Sequence, residues 1–94
     1  MTIYSRNCYT YLIGWSKLNI WYYGSKYGKD ANPNTFWINY FTSSKNVKQF
    51  RKEYGEPDIV QIRKTFGESV DACLNWEHKV LTKISAMENH HFFK

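Results

Sequence analysis

Residue 77 is a glutamate in the middle of an apolar helix face. Val70, Cys73 and Leu74, continued by helical steps, lead to position 77, and the apolar stripe resumes at Val80, Leu81 and Ile84. A buried ionised carboxylate is costly unless it is paired or holds a cation. Two chemistries therefore suit Glu77. One is a salt bridge to Arg63 or Lys64 on the neighbouring strand, or a stripe-edge position from which the carboxylate reaches water. The other is a ligand for Mg2+, a hard cation that takes few carboxylates and keeps several waters. A second cluster is phenolic. The stretch YTYLIGWSKLNIWYYGSK, residues 9–26, carries Tyr9, Tyr11, Tyr22 and Tyr23 beside Trp15 and Trp21. A strand tyrosine is usually a packing residue. A phenol ionises near pH ~10, so one that does base chemistry at neutral pH needs a cation or a second base beside it.

The elements that must position these groups follow from pattern. Residues 7–15 alternate, with Tyr9, Tyr11, Ile13 and Trp15 on one face and Cys8, Thr10 and Leu12 on the other. SKLN (16–19) is turn-like and IWYYGSK (20–26) is β-rich again, which predicts a hairpin. Asn32 before Pro33 predicts a helix start, and Phe36, Trp37, Tyr40 and Phe41 then form the aromatic face of one short helix. A second helix starts in TSSK (42–45), carries the stripe Val47, Phe50 and Tyr54, and ends at Gly55 and Pro57. DIVQIRKTF (58–66) is a third strand. Ser69 caps a last helix from 70 to about 86. The tail 87–94 has no clear period and is expected to fray. The expected fold is α+β: a small three-stranded antiparallel sheet flanked by helices, in the order β-β-α-α-β-α.

The chain has 94 residues, which predicts one domain. Thirteen Lys and Arg against eight Asp and Glu give a net charge of +5, which suits an anionic partner such as nucleic acid or a membrane surface. Lys45, Lys48, Arg51 and Lys52 line the side of the second helix away from its apolar stripe. They form either a solvated face or a phosphate-contacting surface, and the positive balance favours DNA. No run approaches the roughly 20 apolar residues of a membrane-spanning helix, and the N-terminus MTIYSRNCYT has no apolar signal-peptide core. Cys8 and Cys73 lack metal or CxxC spacing. They read as buried free thiols of a cytosolic protein.

The hairpin spacing and the helical Glu together resemble the GIY-YIG nuclease family. YTY (9–11) stands where that family has G-I-Y, and YYG (22–24) where it has Y-I-G. Ten residues, 12–21, separate Tyr11 from Tyr22, the spacing of the two triplets in the family. The resemblance runs over residues 8–84 and ends near Glu77, where the family places its single metal-binding Glu on the last helix. Tyr11, Tyr22 and Gly24 match the motif letters; Tyr9, Thr10 and Tyr23 depart from them.

The resemblance implies one-metal hydrolysis of DNA phosphodiester bonds. Glu77 would hold Mg2+, with Mn2+ able to substitute. Tyr11 would act at the attacking water as base or orienter, and Tyr22 would position water or phosphate. The family also places an Arg and a His on the first helix, in a segment like R-W-x-x-H; here Phe36 and Tyr40 stand at those positions. Lys26 is the nearest substitute cation, on the same strand face as Tyr22 and Gly24, although lysine lacks the bidentate fork of arginine. Arg63 is a second candidate. The expected protein is a catalytic domain of the bacteriophage homing endonuclease type, acting on double-stranded DNA in the host cytoplasm, with no membrane partner. Since 94 residues leave no room for a DNA-reading module, a homodimer or a separate recognition segment is expected to supply one. The rival expectation is a nucleic-acid-binding module of the same fold, weakened or inactive because the Arg and His are missing.

Overall fold

The computed structural model describes residues 6–85 and 91–92. It is an α+β fold built on a hairpin. Strand β1 (Cys8–Trp15) and strand β2 (Ile20–Lys26) are joined by a 3-10 turn, Ser16–Leu18, which closes on Asn19 in the left-handed region. The hairpin is antiparallel with Tyr11 opposite Gly24 and Ile13 opposite Tyr22. Helix α1 (Lys45–Tyr54), strand β3 (Ile59–Gly67), helix α2 (Val70–Ser85) and a two-residue strand β4 (His91–Phe92) follow. The strand order is β3-β1-β2-β4; β3 pairs antiparallel with β1, with a register shift between Thr10 and Tyr11. The expected three-stranded antiparallel sheet with helices is present.

Strand alternation sends β1 to two cores. Tyr9, Tyr11, Ile13 and Trp15 pack with Phe36 and Val47 in the main core, with Phe50 of α1 edge-on to Trp15. On the other face α2 is tied down by polar contacts. Trp76 Nε1 donates to the Tyr23 hydroxyl at 3.1 Å, which donates to Thr10 Oγ1 at 2.7 Å. Cys73 Sγ reaches the Tyr9 carbonyl at 3.7 Å. Cys8 and Cys73 are both buried and free, as expected. The caps also fall where the sequence puts them. Ser44 Oγ accepts from Val47 N and Ser69 Oγ accepts from Ala72 N, while Gly55 ends α1 at φ 89°.

Two elements differ from expectation. The aromatic helix after Pro33 does not form. Asn32 does cap, accepting from Asn34 N, but only a 3-10 turn Pro33–Thr35 results. Trp37 then takes φ 62° and the Thr35 carbonyl collects the N–H groups of Ile38, Asn39 and Tyr40. The reason is that the four rings have two destinations. Phe36 and Tyr40 pack on Tyr11, whereas Trp37 and Phe41 pack on Arg51 of α1. A regular helix would hold all four on one side. The tail is the second difference. His91 and Phe92 pair parallel with Ile20 and Trp21, adding a strand where fraying was expected, because β2 offers an open edge there. The rest of 87–94 lies outside the described residues. Among the described residues no helix is long and apolar enough to cross a membrane.

Candidate active site

Tyr11 stands in the middle of the central strand and is fully buried. Its ring sits 6.0 Å from that of Tyr22, 4.7 Å from Phe36 and 6.2 Å from Tyr40, measured between centroids. Its hydroxyl lies 3.1 Å from Thr42 Oγ1. Gly24, directly across the hairpin, makes this possible. A Cβ there would stand 2.8 Å from the Tyr11 hydroxyl and 2.6 Å from the Tyr22 ring, closer than van der Waals contact allows. Gly24 is therefore a seat for the phenol.

Burial pushes the Tyr11 hydroxyl far above the usual phenol range; Tyr40 and Tyr22 push it the same way and Thr42 opposes them. Tyr22 is also raised, first by burial and next by the negative charge of Glu77. The charge of Glu77 is thus felt at Tyr22. The carboxylate comes from α2, where Glu77 Oε1 accepts from Ser25 Oγ at 2.9 Å. Glu77 is half-buried, whereas Leu74 and Leu81 of its apolar stripe are exposed.

The salt bridge weighed for Glu77 is not made. Among the described residues the ion pairs are Lys26–Asp30 and Arg51–Glu56. Lys64 instead places its ammonium 4.0 Å from the Trp76 ring centroid. Arg63 Nη1 donates to Gln61 Oε1 at 2.8 Å. No group of three or more His, Cys, Asp or Glu side chains converges among the described residues.

Lys26 borders the same cluster. Its ammonium lies 4.5 Å from the Tyr40 ring centroid and 3.2 Å from Asp30 Oδ1. Tyr40 thereby joins Lys26 to Tyr11, although it does so from an irregular turn. Tyr11, Tyr22, Lys26 and Tyr40 are thus brought to one region, and Glu77 reaches the strand of Tyr22 and Lys26 from α2 through Ser25. Arg63 is not among them: it is exposed on the edge strand β3, with β1 between it and β2. An arginine on β3 shares a sheet with the site but not a neighbourhood.

The basic helix divides. Lys45, Lys48 and Lys52 are exposed along α1. Arg51 is not a free phosphate contact, because Nε is 2.6 Å from Glu56 Oε2 and the guanidinium lies over Phe41 at 4.4 Å and Trp37 at 5.0 Å. It anchors the 37–41 turn to α1. Two groups at the site escaped the sequence reading. Ser25 had a signal in strand alternation, which turns it from Gly24 toward α2. Thr42 had none, since a threonine just before a helix reads as a cap.

Comparison of the chain with protein-family models, with curated proteins and with solved structures returned no match.

Proposed function

We propose that this chain is a metal-dependent DNA endonuclease domain of the GIY-YIG type, akin to the catalytic domains of phage homing endonucleases and working in the host cytoplasm. The observation that carries the reading is Glu77: a half-buried carboxylate with no cationic partner among the described residues, bonded to Ser25 of the strand that carries Tyr22, whose ring lies 6.0 Å from that of Tyr11. A carboxylate kept there without a counter-charge is suited to a cation that arrives with substrate.

In this mechanism Glu77 would hold Mg2+, or Mn2+ in its place. When bound, the ion supplies charge stabilisation at the phosphate and at the leaving oxygen. The chain's own groups do the rest. Tyr11 is neutral in the resting protein, because burial keeps its proton on. Its neutral hydroxyl orients the attacking water by hydrogen bonding, and the water's proton leaves to bulk solvent. Tyr22, closer to Glu77, donates to a phosphate oxygen. Lys26 leaves Asp30, an exposed partner that holds it weakly, and neutralises phosphate charge. Lys45, Lys48 and Lys52 contact the DNA backbone on either side.

The rival reading, a binding module without chemistry, draws on Lys26. It stands where a clamp arginine would serve better and is already paired with Asp30. Gel shift and plasmid nicking separate the two, run on the wild type and Lys26→Arg with Mg2+ present. Nicking by the wild type supports the endonuclease. Binding without nicking, in both proteins, overturns it in favour of the binding module.

A further inference from the structure

We infer that Thr42 is a positioning residue for Tyr11, its hydroxyl donating to the phenolic oxygen and fixing where that oxygen points; the catalytic part of this inference rests on the endonuclease reading. Thr42 is 5 % exposed, and its Oγ1 lies 3.1 Å from the Tyr11 oxygen across 31 residues of sequence. A buried polar side chain of this kind needs a partner, and Tyr11 is that partner.

A second contact favours this direction for the bond, although the Thr42 oxygen keeps a second lone pair. Thr42 Oγ1 accepts the backbone N–H of Ser44 at 3.1 Å. That bond fixes the oxygen at the entrance to α1 and leaves the hydroxyl hydrogen to be given elsewhere. The Tyr11 oxygen, 3.1 Å away, is an acceptor in reach, with Tyr22 beside it. On the opposite side Gly24 closes in, so the phenol has no room to swing away. Tyr11 that accepts from Thr42 turns its own proton toward Tyr22. A donor at this point also favours the ionised phenol, opposing burial. The Ser44 cap of α1 and the orientation of Tyr11 are thereby linked through one threonine.

The test compares the wild type with Thr42→Val, which keeps the shape and loses the hydroxyl, and Thr42→Ser, which keeps the hydroxyl. Two readouts are taken: the ring-carbon NMR resonance of Tyr11, identified by its loss in Tyr11→Phe, and plasmid nicking. Thr42→Val should move the Tyr11 resonance and slow nicking about tenfold, the kinetic equivalent of one lost hydrogen bond. Thr42→Ser should restore both. In the wild type, the Thr42 hydroxyl proton should give a cross-peak to the Tyr11 ring, a check that stands even if Thr42→Val fails to fold. An unmoved Tyr11 resonance in folded Thr42→Val, equal losses in both variants, or no such cross-peak would overturn the inference. A wild type that never nicks would overturn the endonuclease reading and with it the catalytic part of this role; the resonance and the cross-peak still decide whether Thr42 orients the phenol.

Discussion

Gly24 lies against the Tyr11 hydroxyl so closely that a single added methyl group would stand 2.8 Å from it. The contact joins the two halves of the hairpin at the centre of the site. Gly24→Ala is therefore expected to act on the phenol rather than on the strand. Overpacking of this kind costs about 1–3 kcal/mol. Urea denaturation should show a loss in that range, and nicking should fall further than stability does, since Tyr11 and Tyr22 must both shift. Full activity in Gly24→Ala would mean that the placement of these hydroxyls does not matter.

Tyr9 neighbours Tyr11 on the same strand face but carries a different expectation. Its hydroxyl is buried and has no hydrogen-bond partner among the described residues. Such a group contributes packing through its ring and a desolvation penalty through its oxygen. Tyr9→Phe should leave stability unchanged or raise it by up to about 1 kcal/mol, and nicking should persist. A thermal melt checks the first point. A clear loss of stability would mean that the oxygen is satisfied in solution.

Glu77 is placed by its neighbour. Trp76, the preceding residue, hangs α2 on the sheet through Tyr23 and Thr10. Tyr23→Phe removes the middle of that chain and leaves the indole N–H without its acceptor, at about 1–3 kcal/mol. The expected result is a lower melting temperature together with a higher Mg2+ requirement for nicking. An unchanged Mg2+ requirement would show that α2 holds Glu77 by other contacts.

Alkali should unfold the protein early. Burial holds the Tyr11, Tyr9 and Tyr22 hydroxyls above the ordinary phenol value and pushes the Cys73 thiol up to about 11. Each folded pKa lies above its unfolded one. As pH rises past the unfolded values, about 8.5 for thiol and about 10 for phenol, the unfolded chain releases protons that the native chain keeps, so stability falls. These groups leave stability level between about pH 7 and 8, and lower it from about pH 9 upward. The urea midpoint followed across that range checks the sign, and Tyr11→Phe should soften the decline above about pH 10. A midpoint that rises with pH would contradict it.

The parts of the fold that were legible in the sequence are those with one clear period. The hairpin alternated, α2 carried its stripe from Val70 to Ile84, and Glu77 stood out because it broke that stripe. The segment 36–41 was not legible. Its aromatic spacing fits a helix, but Phe36 and Tyr40 reach Tyr11 while Trp37 and Phe41 also reach Arg51, partners that only the tertiary fold supplies. Arg63 shows the same limit. Its type suited a phosphate clamp, yet strand order puts β1 between it and β2. Arg51 suited a basic face, until Glu56 and two rings enclosed it. Spacing along a chain locates a residue on an element; it does not say which distant group, such as Thr42 for Tyr11, will meet it.

The first measurement to make is conversion of supercoiled plasmid to nicked circles, with Mg2+ and with a chelator, by the wild type and by Glu77→Gln. Glutamine keeps an acceptor for Ser25 and removes the charge, so the fold should survive. The expected result is nicking by the wild type that stops with chelator and falls at least about a hundredfold in Glu77→Gln, while DNA binding persists. Equal nicking by the two proteins, or none by the wild type, would contradict a catalytic site built around Glu77 and Tyr11.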